Sequence, residues 1–150
     1  MSPEAAAELG RAGAVAAMGL AAVGSAFGSY LGGAGAVGAW KKLIAQGKPA
    51  TFTLFTFVGA PLSQTIYGMI LMITIVGKAD DGYNPWSLLG VGIAAGIGMG
   101  ASAYGQGKVG GYCADALAET GQGFSNYLAV IGIVETVAIF VLVFALLALG

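Results

Sequence analysis

Residues Tyr127–Leu149 read YLAVIGIVETVAIFVLVFALLAL, an apolar run broken by a single charged side chain, Glu135. Crossing a bilayer as an α-helix takes about 20 apolar residues, so this run is long enough to span one. A charged residue at the centre of such a helix costs roughly 2.5–3.5 kcal/mol even on the gentlest scale. Glu135 must therefore be protonated, paired or holding a cation, and it marks a functional site by default.

The rest of the chain has the same character. It is 57% hydrophobic and 9% charged, with a mean hydropathy of +0.85, far from the composition of a soluble domain. Apolar stretches at about 11–40, 51–77, 86–114 and 122–149 take up nearly all of residues 1–150. The expected fold is an all-α membrane protein, a single membrane domain of four transmembrane helices. Met1-Ser2-Pro3-Glu4 is acidic, unlike a cleavable signal, and suits a helix start with Glu4 and Glu8 near the positive end of the helix dipole. Cys113 is the single cysteine and there is no histidine, which leaves few ligands for a transition metal. No basic cluster of the kind that binds nucleic acid is present.

Lysine placement sets the expected orientation. The first link, Lys41 to Lys48, carries three positive charges, and the second, Lys78 to Trp86, carries one positive and two negative. The positive-inside rule then puts the 1–2 and 3–4 links, the latter with Asp115 and Glu119, in the cytoplasm and both termini outside. Trp40 and Trp86 suit opposite interfaces. Lys108 is expected to snorkel to the interface as an anchor.

Two halves repeat each other. Ser25-Ala26-Phe27-Gly28 matches Ser102-Ala103-Tyr104-Gly105 at an offset of 77 (102 − 25), and Gly33 falls on Gly110 in that register. Gln64-Thr65 matches Glu135-Thr136 at an offset of 71 (135 − 64). The chain thus reads as two helical hairpins of like orientation, 1–77 and 78–150. Gly24, Gly28 and Gly32, and likewise Gly92, Gly96 and Gly100, recur every four residues, a spacing that lets helix backbones approach closely in lipid. Spans two and four carry bulky side chains instead, which points to an inner glycine-rich layer and an outer one, an arrangement suited to a ring of many copies.

The second span holds Pro61, Ser63, Gln64, Thr65 and Tyr67 near its centre. Pro61 frees the carbonyl of Phe57 and bends the helix. Ser63, Gln64 and Tyr67 share a face with the Ala60 backbone, and the third span adds Gln106. With Glu135 these residues supply several oxygens, one negative charge and a phenol donor, an inventory that suits a small monovalent cation better than a divalent one. Taken singly, each has a plainer role: Ser63 and Thr65 bonded to their own helix, Tyr67 at an interface, the glutamines as interhelical glue.

The stretches Pro61-Leu62-Ser63-Gln64-Thr65-Ile66-Tyr67, Tyr104-Gly105-Gln106-Gly107-Lys108-Val109 and Val134-Glu135-Thr136 resemble the proteolipid (c or K) subunit of rotary V-type ATPases, in its fused two-hairpin form. The resemblance implies an ion-carrying glutamate on the last helix, Glu135, with Gln64 where the second helix has lost its carboxylate. For sodium-type members it implies that Glu135, Gln106, Gln64, the Ser63 hydroxyl and the Ala60 carbonyl hold Na⁺, and that Tyr67 stabilises the carboxylate. Ser63 stands where that pattern usually has threonine, and Ala60 where a larger residue is common.

The implied activity is rotor-ring ion carriage, with no catalysis by this chain and ATP hydrolysis on other subunits. The implied partners are identical copies in a ring, a stator subunit with a cationic side chain in the membrane, a central-stalk subunit at the cytoplasmic links, and lipid. The expected location is a prokaryotic cell membrane. Three other readings stand beside it: the same rotor carrying H⁺, a small four-helix proton-coupled exporter, and a passive structural or pore-forming bundle. The exporter reading expects its glutamate on the first helix in an aromatic pocket, whereas Glu135 lies on the last among aliphatic residues.

Overall fold

The computed structural model describes residues 1–150 and is helical throughout, with no strand. Its elements are α1 (Pro3–Ala45), a 3₁₀ turn (Phe52–Leu54), α2 (Phe55–Gly59), a 3₁₀ turn (Ala60–Leu62), α3 (Ser63–Asp80), α4 (Pro85–Thr120) and α5 (Phe124–Leu149). Four segments are long and apolar enough to cross a membrane: Pro3–Ala45, Phe52–Asp80, Pro85–Thr120 and Phe124–Leu149. The protein is an integral membrane protein of four spans.

Local chemistry explains where the helices start and stop. Ser2 caps α1, its hydroxyl accepting the Ala5 N–H at 3.2 Å, with Pro3 in the first turn where no amide partner is needed. Asn84 caps α4 in the same way, accepting the amides of Trp86 and Ser87 at 3.0 and 3.3 Å just ahead of Pro85. Gly121 ends α4 at φ 67°, a left-handed conformation that glycine adopts without strain.

Two expectations from the sequence need correction. The apolar stretches mark the membrane, not the helices: α1 and α4 run well beyond it, so Lys41, Lys42, Asp115 and Glu119 are helical rather than in links. At 1.5 Å per residue α1 is roughly 65 Å long, about twice the hydrocarbon thickness. The second span is also not one bent helix. Pro61 sits inside a 3₁₀ turn that separates α2 from α3.

The inner layer is the pair α1 and α4, which lie parallel with backbones in contact. A Cβ at Gly24 would overlap the backbone of Gly100, one at Gly28 the carbonyl of Ala103, one at Gly92 that of Gly13, and one at Gly107 the backbone of Gly28. Gly96 packs on Ala16 and Leu20. Gly32 departs from the stripe and packs against the Phe57 carbonyl of α2 rather than on α4. Close approach at Gly24/Gly100 and Gly35/Gly111 follows a shift of 76 (100 − 24), within one residue of the repeat offset. Repeat-related residues therefore lie side by side at one height.

The α3 and α5 helices form the outer layer. On α5 only Ile131, Ala138, Leu142 and Leu149 are buried, while Ile133, Val137, Phe140, Phe144 and Leu147 are exposed. An apolar helix surface of that kind belongs against lipid. Charged clusters close both ends. Arg11 bridges Glu8 at 2.6 Å and Asp80 at 2.8 Å. At the far end Lys42 lies 3.3 Å from Asp115 and 3.4 Å from Glu119. Beside that far end the Trp40 indole donates to the Thr51 carbonyl at 2.8 Å and packs on Phe55, as an interfacial anchor would.

Candidate functional site

The break at Pro61 shapes the site. Proline has no N–H, so the Phe57 carbonyl lacks its helical donor and lies against Gly32 and Gly110 instead. The tighter 3₁₀ turn that follows brings the Ala60 carbonyl under Ser63, where it accepts both the backbone N–H and the hydroxyl, the latter at 2.9 Å. Ala60 and Ser63 are thereby set one turn below Gln64 and Tyr67 on the side of α3 that faces α4 and α5.

From there a continuous hydrogen-bonded chain crosses three helices. The Ser63 hydroxyl also lies 3.2 Å from Gln64 Oε1. Gln64 Nε2 donates to Gln106 Oε1 at 3.1 Å. Gln106 Nε2 reaches the Ile131 carbonyl at 3.2 Å and Glu135 Oε2 at 3.4 Å. The Tyr67 hydroxyl donates to the other carboxylate oxygen, Glu135 Oε1, at 2.7 Å. All six residues singled out in the sequence (Ala60, Ser63, Gln64, Tyr67, Gln106 and Glu135) therefore meet in one place.

Burial within the site is graded. Gln64 and Gln106 are fully enclosed, whereas Ser63, Tyr67 and Glu135 are half-buried, on the side toward the lipid-facing surface of α3 and α5. Each enclosed amide has a partner at both ends, as buried polar groups require. Glu135, the one acid away from the helix ends, has two donors, one on each oxygen, which offsets part of its desolvation. No basic side chain bonds to it: Lys108 is exposed on α4 and makes no ion pair.

Two participants escaped the sequence reading. The Ile131 carbonyl holds the Gln106 amide, and Ser102 donates to the Val134 carbonyl at 2.8 Å, tying α4 to α5 beside Glu135. A main-chain acceptor carries no residue signature, so Ile131 was invisible. Ser102 had a signal, its place in the Ser-Ala-aromatic-Gly repeat.

Chemically the arrangement gathers a carboxylate, two amide side chains, a hydroxyl and the Ala60 carbonyl along one hydrogen-bonded chain. These are hard oxygen donors carrying one negative charge. The phenol donates to the carboxylate and so fixes its rotamer.

Comparison with known proteins finds two matches. Residues 89–148, which contain most of α4, nearly all of α5, Gln106 and Glu135, match the family of ATP synthase C subunits. The chain is also 33% identical over 141 residues to the K subunit of the A-type ATP synthase of Methanocaldococcus jannaschii, an alignment that covers 94% of this chain. The chain spans 61% of that relative's length.

Proposed function

We propose that this chain is a proteolipid, a rotor-ring component of a V/A-type rotary ATPase, and that it carries Na⁺ across the membrane on Glu135. The observation that supports the ion assignment is the fully enclosed pair Gln64 and Gln106, bonded to each other, with Gln106 also bonded to Glu135. A proton carrier needs only the carboxyl group and a dry setting. In such a carrier the two buried amides, the hydroxyl and the Ala60 carbonyl would serve only to join helices, whereas a desolvated Na⁺ needs several oxygens to replace its water.

In this reading Glu135 supplies the neutralising charge, and Gln64, Gln106, Ser63 and Ala60 supply neutral oxygens. Tyr67 holds Glu135 Oε1 so that the carboxylate is presented in one geometry. With the ion bound, the site is electrically neutral and can travel through lipid as the ring turns. At the stator, a cationic side chain competes for Glu135 and releases the ion into an access path. The half-buried position of Glu135, with only neutral donors on it, leaves the carboxylate reachable from the outer face.

The remaining assignments follow from that reading. The end bearing Lys42, Asp115 and Glu119 faces the cytoplasm and meets the central stalk, both termini lie outside, and the membrane is a prokaryotic cell membrane. Nucleotide hydrolysis takes place on other subunits, since this chain is nearly all membrane span.

The test is Na⁺ binding to the purified ring at equilibrium. One Na⁺ per chain is expected, lost in Glu135→Gln and not replaced by K⁺. A ring that binds no Na⁺ at any pH would overturn the assignment and leave H⁺ as the cargo.

A further inference from the structure

The apolar surface of α5 does little to fix which way Glu135 points. Its buried residues are Ile131, Ala138, Leu142 and Leu149, and its exposed ones include Ile133, Val137, Phe140 and Phe144, so both faces are hydrocarbon. In lipid, turning such a helix about its axis exchanges one apolar face for another at little cost. The facing surface of α4 is smooth, with Gly98 opposite Val141 and Gly105 opposite Val134. Directional contacts are left to set the rotation of α5.

Within α5, the hydrogen bonds received from other spans all fall between Ile131 and Glu135. Tyr67 and Gln106 bond the carboxylate at 2.7 and 3.4 Å. Gln106 also bonds the Ile131 carbonyl at 3.2 Å, and Ser102 bonds the Val134 carbonyl at 2.8 Å. The two bonds to the carboxylate are given up whenever Glu135 is drawn out of the site, and Gln106 is itself one of the proposed ligands. Ser102 holds α5 without belonging to the ligand set.

Its choice of partner is unusual. A helical hydroxyl ordinarily bonds back to its own helix, as those of Thr74, Thr120 and Thr136 do here. Ser102 is 6% exposed, and its hydroxyl crosses instead to the residue next to Glu135. The repeat-related Ser25, at the offset of 77, is 2% exposed and has no hydrogen-bond partner. Of the two serines, only the one in the hairpin that carries the acid makes such a bond.

We infer that Ser102 is a positioning residue for the ion site: through the Val134 carbonyl it sets the rotation of α5 and keeps Glu135 aimed at Gln106 and Tyr67. Val134 immediately precedes Glu135, so holding its carbonyl fixes the direction of the neighbouring side chain without touching the carboxylate. The setting survives while the carboxylate is engaged elsewhere, and Glu135 returns to the same geometry to take its next ion. Without Ser102, α5 divides its time between this rotation and others that turn Glu135 toward lipid. Apparent affinity falls with the fraction of time spent in the competent state, so an α5 correctly turned about one-fifth of the time binds about fivefold more weakly.

The inference deepens the reading of Glu135 as the ion carrier and rests on it. By isothermal titration, the assembled protein with Ser102→Ala should bind Na⁺ about fivefold more weakly than the parent. In Na⁺-free buffer at one fixed pH, its Glu135 should react with carbodiimide faster than in the parent, because the carboxylate is more often reachable from lipid. A disulfide then replaces the lost bond. A Cβ at Gly98 would stand 3.8 Å from Val141 Cβ, within the span that a disulfide bridges. Gly98→Cys and Val141→Cys, added to Ser102→Ala in a Cys113→Ala background, should restore the parent affinity and labelling rate when oxidised and lose both on reduction.

Unchanged affinity and labelling in Ser102→Ala would overturn the inference even if thermal stability fell, since that is what a merely structural serine gives. A disulfide that mass spectrometry shows to have formed, yet that restores neither quantity, would overturn it as well. A parent protein that binds no Na⁺ overturns the sodium reading alone, because the labelling rate still reports the position of Glu135 whatever its cargo.

Discussion

The Tyr67 hydroxyl and Glu135 Oε1 lie 2.7 Å apart although 68 positions separate them in the chain. This bond links α3 to α5 at the depth of the one acid that lies away from the helix ends. It is made to a carboxylate, the class of hydrogen bond worth about 1.5–3 kcal/mol. Its function in the account is to hold the carboxylate in one geometry.

Tyr67→Phe should therefore weaken Na⁺ binding about tenfold or more, which is what the loss of a bond of about 1.5 kcal/mol gives. Ring assembly should be unchanged, because the ring of Phe fills the same volume. Isothermal titration of the purified ring with Na⁺ reads this directly, and an unaltered affinity would remove Tyr67 from the site.

Gln64→Leu and Gln106→Leu test the neutral oxygens. Each variant removes one amide oxygen and leaves the other glutamine's bonds incomplete in an enclosed setting. An unsatisfied buried polar group costs about 1–3 kcal/mol. Both variants should lose Na⁺ affinity by at least about tenfold, and Gln106→Leu should lose more, since Gln106 touches Gln64, Ile131 and Glu135. Equal and small effects would return the glutamines to the role of interhelical glue.

Two glycines of α1 should respond to alanine with opposite signs. At Gly24 the added Cβ would overlap the Gly100 backbone, so Gly24→Ala must push α1 and α4 apart, an overpacking cost of about 1–3 kcal/mol. At Gly38 a Cβ meets nothing within 4 Å, so Gly38→Ala should gain up to about 1 kcal/mol of helix propensity. The thermal stability of the purified protein in detergent separates them. If both variants behaved alike, the backbone contact between α1 and α4 would be in error.

What could be read from the sequence depended on how costly each residue is in a membrane. Glu135, Gln64 and Gln106 stood out because polar side chains at that depth need a reason, and the structure places them within one hydrogen-bonded chain. Parallel α1 and α4 approach at Gly24/Gly100 with a shift within one residue of the Ser-Ala-aromatic-Gly offset of 77. Helix ends were misread because Lys42, Asp115 and Glu119 mark where lipid stops, while the α1–α4 contact continues past it.

The rest left little trace in residue types. Gly13 and Gly107 make backbone contacts between α1 and α4 but lie outside the four-residue stripes. The Ile131 carbonyl could come from any residue. Pro61 announced a bend, but whether the helix would kink or pass through a 3₁₀ turn depended on the glycines opposite Phe57.

The most direct test of the central claim is carbodiimide labelling of the assembled protein across pH, with and without Na⁺, and with the modified residue located by mass spectrometry. The reagent needs a protonated carboxyl group, so a bound cation protects it. The account predicts labelling at Glu135 alone, suppressed by Na⁺ and not by K⁺. Labelling of Glu135 that Na⁺ leaves untouched at every pH would contradict it, and the enclosed glutamines would then be scaffold for a proton carrier.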